Sequence, residues 1–218
     1  MDKIELYYDH YKETFKLSKK VQDRRDKLFI WLCILEALSF LMLINPEKIL
    51  DTLISGINTH FEIEFLFGNT TVQTLLWILI AYTTVRYCQD VLYIERQYIY
   101  LDKIEKEISQ ESSMTSFDRE GEEYLKEYPM VLNFVDLFYK MFCPILFMAI
   151  NIVHIVREWK NAILTLAILS DTMIFMAIFI ITWFYFFEIH SKITKWCKDH
   201  IPFVRIIAIV LRRILKEV

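Results

Sequence analysis

Six charged side chains stand where the surrounding sequence is apolar enough for lipid: Glu36, Arg86, Asp90, Asp136, Lys140 and Asp171. Arg86/Asp90 and Asp136/Lys140 are pairs of opposite charge four residues apart. On a helix that spacing puts both members on one face. An isolated charge at the bilayer centre costs at least about 2.5–3.5 kcal/mol, so such groups face protein or water and find partners. Two chemistries follow. One is a buried ion-pair network that fixes helix packing, the general expectation for any single residue here. The other is the polar lining of a cytoplasmic vestibule or ion path, which the cluster as a whole makes a fair reading.

Depth sets which of these groups can meet. With the first apolar run entered from the cytoplasm at Leu28, Glu36 lies about 12 Å in at 1.5 Å per residue. With the second run leaving the membrane at Ile94, Arg86 also lies about 12 Å in, and Asp90 is one turn shallower. Lys140 is about 13 Å from Val131. Arg86 is therefore expected to bridge to Glu36, with Lys140 at the same level. A second polar set, Asn151, His154, Ser170 and Asp171, lies nearer the outer side. Ala167, Ser170, Asp171, Ile174 and Ala177 share one helical face, which allows close helix contact. Hydrogen bonding between helices of one subunit is the first expectation for Asp171. The sharper alternative is an acidic ring formed by repeated copies of Asp171 in an oligomer.

The elements that must position these groups are helical and membrane-embedded. The chain has 218 residues, 55% of them hydrophobic, with only 3 Gly and 4 Pro and a mean hydropathy of +0.31. Four apolar runs cover about 28–44, 71–94, 131–156 and 162–187. A span needs about 20 residues, with about 17 tolerated. The first and last runs meet this cleanly; the middle two are interrupted by charge. Lys and Arg number twenty in 1–27, 95–130 and 188–218 together, against three in 45–70 and 157–161. Cytoplasmic loops carry such an excess. The expected fold is all-α: a polytopic membrane protein with four transmembrane helices, cytoplasmic N- and C-termini and a cytoplasmic helical crown. Its parts are an N-terminal helix (1–27), a membrane domain (28–187) with a cytoplasmic insertion (95–130), and an amphipathic, interfacial C-terminal segment (188–218). The N-terminus lacks the short apolar core and small-residue cleavage site of a secretory signal, so the first run is expected to be retained.

Ile4, Tyr8, Tyr11 and Phe15 step along one face of the N-terminal helix. Lys12, Lys16, Lys20, Arg24 and Lys27 form a cationic stripe expected to touch anionic lipid or a phosphate-bearing ligand. Asn45-Pro46-Glu47 is a helix start, with Pro at the first position; the helix of 46–57 is expected to lie on the outer leaflet or cap the bundle. From Gln73 to Gln110 neither Gly nor Pro intervenes, so the second span is expected to run on into the cytoplasm as one helix of about 35–40 residues, over 50 Å long. "FDREGEEYLKEYP" reads as a short acidic helix. "FVRIIAIVLRRILKEV" reads as an amphipathic helix on the inner leaflet.

No catalytic motif is present: no GxSxG, HExxH, Gly-rich phosphate loop or CxxC. His190, Cys197 and His200 match no standard zinc spacing. The chain is not expected to be an enzyme, or to need a cofactor or metal. Cys33, Cys88, Cys143 and Cys197 are placed in spans or on the cytoplasmic side, which argues against disulfides.

"HYKETFKLSKKVQDRRDKLF", "RYCQDVLYIERQYIYLDKIEKEIS" and "FDREGEEYL" together resemble small bacterial multi-span membrane proteins. These are the RipA-like octameric proteins and the SMODS-associated two- and four-span (S-4TM, SLATT-like) effectors of anti-phage defence, among them the Hailong membrane effector. The resemblance covers mainly residues 8 to 130; the fourth span and the C-terminal segment depart from the shorter RipA-like proteins. It implies a homo-oligomer of the bacterial inner membrane, in contact with lipid and responsive to a cytoplasmic partner protein or a nucleotide or oligonucleotide ligand. The expected function is an oligomeric ion channel or pore-forming effector gated from its cytoplasmic helices. The alternative is a non-conducting scaffold that recruits a soluble partner. A proton-coupled transporter using Glu36 and Asp171 comes third.

Overall fold

A computed structural model of the chain describes residues 3–61, 69–112, 130–161 and 165–189. All regular structure among them is helical: α1 (Lys3–Ile44), α2 (Pro46–Phe61), α3 (Asn69–Ser112), α4 (Met130–Leu137), a π-helical turn (Phe138–Phe142), α5 (Cys143–Asn161) and α6 (Leu166–Ile189). The acidic segment before Pro129, the segment after Ile189 and the His190/Cys197/His200 group lie outside the described residues.

α1 and α3 are far longer than a bilayer is thick. At 42 and 44 residues they extend about 63 and 66 Å, against a hydrocarbon core of about 30 Å. They pack antiparallel: as α1 advances from Tyr11 through Gln22 and Arg24 to Met42, its partners on α3 retreat from Glu105 through Tyr98 and Asp90 to Leu76. One half of this hairpin joins α5 and α6 in a bundle. The other half, from Tyr11 to Val21 and from Ile94 to Ile108, stands clear of them and closes on its own cluster of Tyr11, Leu101, Ile104 and Ile108. Tyr7 and Phe15 pack against that cluster, while Tyr8 is 44% exposed with Lys12 Nζ 5.3 Å from its ring. The apolar face of α1 is thus set by Tyr7 and Tyr11 rather than by Tyr8.

Asn45 turns the chain between α1 and α2. Its N–H donates to Leu41 O (3.0 Å) and its carbonyl accepts from Ile49 (3.2 Å). Pro46 follows at the first position of α2, where a missing N–H costs nothing. α2 caps the bundle through Leu50, which is buried with Leu32, Met42, Leu76, Trp77, Ile80, Ile155 and Ile178.

By length and apolarity, two helices among the described residues can cross a membrane: α1 and α6. The expected second and third spans do not meet that standard. α3 carries Arg86 and Asp90 within its apolar stretch. The third run is divided into α4, the π-turn and α5, with Asp136 and Lys140 before the break. Pro144 supplies no N–H to the ladder just after the π-turn, where Cys143 N–H reaches back five residues to Phe138 O. A proline and a π-bulge together re-route backbone hydrogen bonds, which is how such breaks arise.

Candidate functional site

The bundle is apolar outside and carries polar groups among its apolar core. Ile34, Phe40, Leu79, Ile145, Val153 and Ile180, drawn from α1, α3, α5 and α6, are all exposed. Between the helices lie Glu36, Ser39, Thr84, Asp90, Asn151, His154, Glu158, Asp171 and Thr182, each at most 9% exposed.

The polar groups form a column. At one end, nearer the start of α1, Arg24 clasps Asp90, with Nε 2.7 Å from Oδ2 and Nη2 2.5 Å from Oδ1. The carboxylate side chain is 3% exposed and the guanidinium side chain 51%. The hydrogen bonds to Asp90 raise the Arg24 pKa above the ordinary arginine value, against a smaller opposing effect of burial. Further out, Asn151 Nδ2 donates to Glu36 Oε1 (2.8 Å) and to Phe147 O (2.9 Å). One turn beyond, Ser39 Oγ lies 2.6 Å from His154 Nδ1. The Gln73 amide donates to His154 Nε2 (3.3 Å), which assigns the proton of a neutral ring to Nδ1. At the opposite end Trp77 Nε1 donates to Glu158 Oε1 (2.7 Å), and Gln73 donates to the same oxygen. Burial pushes the Glu158 carboxyl above the usual carboxylate range; Trp77 and Gln73 pull it back, and the charge of Asp171 pushes it further. Asp171 lies beside Thr74. Trp159 Nε1 donates to Thr172 Oγ1 (3.0 Å) and ties α5 to α6 beside it. Counted along α1 and then α5, the column from Arg24 to Glu158 is about 28 Å long, close to one hydrocarbon thickness.

Helix register explains the pairing. Glu36 to Ser39 is three residues, and so is Asn151 to His154. α1 and α5 run parallel and side by side, so both pairs close at once. Glu158 follows His154 by four residues and continues the same face.

Several expectations change here. Glu36 is paired with Asn151 and not with Arg86; Arg86 instead donates to Gln89 on its own helix (3.3 Å). Arg86 is not level with Glu36: the register that pairs Tyr11 with Glu105, Arg24 with Asp90 and Met42 with Leu76 sets it nearer Phe29, against which Tyr87 packs. It also sits about 120° around the α3 axis from Ile80, the middle of the buried face. Asp90 belongs to the buried side and takes its cation from α1. That draws Arg24 out of the cationic stripe, whose members Lys12, Lys16, Lys20 and Lys27 remain exposed. Asp136 lies on α4 and Lys140 in the π-turn, so no regular α-turn joins them; their side chains lie outside the described residues. Asp171 is 3% exposed in the single chain, which puts it between helices of one subunit rather than on an outward face that could form a ring.

Ser39, Gln73, Trp77, Thr84, Glu158 and Thr182 were not foreseen. The three-and-four spacing of Asn151, His154 and Glu158 was the available signal, hidden because 157–161 reads as a loop. Among the described residues no group of three or more His, Cys, Asp or Glu could hold a metal ion.

A cavity of about 20 Å³ lies between Glu36 and the Arg24–Asp90 pair; Glu36, Asn151, Thr84 and Thr182 are in a wall made mostly of apolar and aromatic side chains such as Phe29, Leu32, Phe147 and Ile178. Comparison with protein-family models, with curated proteins and with solved structures yields no match, so the site stands on its own geometry.

Proposed function

We propose that the chain is a four-span protein of the bacterial inner membrane that passes cations through its helix bundle, under the control of the cytoplasmic α1–α3 hairpin. The observation that carries this is the set Glu36, Glu158 and Asp171: three carboxyl groups buried in the bundle, none of them in an ion pair with Lys or Arg among the described residues. Arg24 supplies Asp90 with a permanent cation; the base nearest Glu158 is His154, 3.5 Å away. Buried acids without a permanent cation beside them hold protons or exchange cations.

The four-span reading rests on the exposed apolar belt, which α3 and α5 share with α1 and α6, and on the alternation of Lys and Arg. Apolar surface of that extent marks contact with lipid or protein. On this reading the column crosses the membrane with Arg24 and Asp90 at the inner face. A 20 Å³ cavity is not a continuous path, so conduction requires the helices to part. The α1–α3 hairpin is suited to drive this, because both of its helices run unbroken from the cytoplasm into the column. A homo-oligomer that depolarises the membrane on a cytoplasmic signal, in the manner of small multi-span defence effectors, is the biological form of this reading.

Liposomes containing the full chain should release Na⁺ or K⁺ faster than protein-free liposomes in at least one of three conditions: no addition, ATP, or a cyclic dinucleotide. Glu36→Gln and Asp171→Asn should each slow release at least tenfold. Liposomes that stay tight in all three conditions would refute conduction. They would favour a scaffold, for which the exposed Leu6, Leu17 and Ile99 of the hairpin offer a partner surface.

A further inference from the structure

The polar column lies on one side of the α1–α3 pair, and the other side carries charge of its own. At about 100° per residue, Glu36 and Ser39 of α1, which meet α5, and Trp77 of α3, which meets Phe175 of α6, lie to one side of the plane through the two helix axes. Arg24 and Asp90 close against each other on the opposite side. Tyr82, Arg86 and Tyr93 follow there on α3, and Lys20 and Lys27 flank Arg24 on α1. Tyr82 and Tyr93 lie beside Arg24. Neither α5 nor α6 covers this side. Lys20 and Lys27 are exposed; Tyr82 is 60% exposed, and Trp31 of α1, set at about the level of Arg86 by the pairing of Phe29 with Tyr87, is 59% exposed.

Polarity changes along this face at Arg86. Toward the end of α1 it is apolar, with Ile34 of α1 and Leu75 and Leu79 of α3 exposed. Toward the start of α1 it is cationic. Lys20, Arg24, Lys27 and Arg86 meet only two acids there, Asp23 and Asp90, so the face is net positive. Arg86 makes no ion pair among the described residues; its Nη1 donates to Gln89 Oε1 at 3.3 Å. Side chains on a helix lean toward its N-terminus, which for Arg86 is the apolar end. Arg86 reaches the other way, toward Gln89 and the lysines, as a cation at the edge of lipid does. A guanidinium has five donors, and one long bond to an amide leaves most of them for a ligand.

Chemistry selects that ligand. A guanidinium fits a phosphate, which it can hold by two parallel hydrogen bonds. Exposed aliphatic side chains on one side of it fit acyl chains. Trp and Tyr at the change of polarity are the residues that settle at headgroup level. A phospholipid carries a phosphate next to acyl chains, and a net positive face favours an anionic one. We infer that the face formed by Lys20, Arg24 and Lys27 of α1 with Tyr82, Arg86 and Tyr93 of α3 binds the phosphate headgroup of an anionic phospholipid.

The inference rests on the membrane reading of the chain and not on conduction. Alkaline carbonate extraction tests the membrane reading by itself: an integral protein stays in the membrane pellet, and release of the chain would overturn both.

The site is tested by thermal unfolding of the purified full chain in a neutral detergent, with phosphatidylglycerol, phosphatidylcholine or inorganic phosphate added. Phosphatidylglycerol should raise Tm saturably, phosphatidylcholine by less, and inorganic phosphate not at all. Arg86→Ala should weaken the apparent affinity for phosphatidylglycerol about tenfold, the worth of one charge-assisted contact, and Arg86→Lys should weaken it less. Lys103→Ala, on an exposed part of α3 away from this face, should leave it unchanged. Lys27→Gln and Trp31→Ala should each weaken it too, which keeps the test decisive if Arg86→Ala fails to fold. Equal Tm in the two lipids, or a phosphatidylglycerol response unchanged by Arg86→Ala, would overturn the site. An equal response to inorganic phosphate would overturn a lipid as its ligand. Loss of a dimer or larger assembly on Arg86→Ala, with no dependence of Tm on lipid, would assign the face to a second copy of this chain and overturn the inference as well. A phosphatidylglycerol response in a protein whose liposomes stay tight would uphold the site and remove only conduction.

Discussion

Replacing Arg24 by alanine should destabilise the protein by about 2 kcal/mol, and nearly all of that loss should depend on Asp90. The magnitude follows from the geometry of the pair. Arg24 makes two hydrogen bonds to Asp90, at 2.7 and 2.5 Å. Breaking a fully buried pair by removing one partner costs about 3–5 kcal/mol, because an uncompensated charge is left behind. Fully exposed pairs are worth only about 0.2–1 kcal/mol. This pair lies between the two limits, with a carboxylate 3% exposed and a guanidinium 51% exposed. A double-mutant cycle of Arg24→Ala and Asp90→Asn, followed by reversible unfolding in mixed micelles, should give a coupling of about 1.5–2 kcal/mol. The parallel cycles of Arg86→Ala with Asp90→Asn and with Glu36→Gln should be additive to within about 0.5 kcal/mol. A coupling below about 0.5 kcal/mol for Arg24 and Asp90, or a larger one for Arg86 with either acid, would refute the assignment of the ion pair.

Glu158 should make stability pH-dependent. Its folded pKa is raised by burial, so its contribution is complete below the ordinary glutamate value and is lost as pH rises through the raised one. Glu158→Gln should therefore raise Tm at pH 8 and leave it unchanged at low pH, with His154, Arg157 and Asp171 as the neighbouring ionisable groups; an equal Tm change at both ends of the pH range would contradict this. Topology is open to labelling. Ser55→Cys on α2 should react with a membrane-impermeant maleimide in intact cells, and Lys103→Cys on α3 only after the membrane is opened. The reverse pattern would invert the orientation.

What was legible in the sequence is what repeats or accumulates along one helix. Apolar runs with few glycines and prolines dictate helices, and a helix rises by a constant amount per residue, so the spacing of the charged groups along each helix followed from counting. The length of α3 followed from unbroken helical spacing; it runs to Ser112. The two flanking runs are the ones apolar enough to span, as their lack of interrupting charge pairs suggested. Depth does not give rotation about the axis or the identity of the neighbouring helix. Arg86 lies nearer the level of Phe29 than of Glu36 and on the flank of α3, and Asp90 took its cation from a stripe that reads as surface. The π-turn ahead of Pro144 was not visible because a run of apolar residues carries no mark of a shift in backbone hydrogen bonding. Tertiary packing alone decided that α1 and α5 lie parallel, and so that Glu36 and Ser39 meet Asn151 and His154 at the same three-residue spacing. Each of those partners is more than a hundred residues away in the chain, and only the docking of the two helices makes them one site.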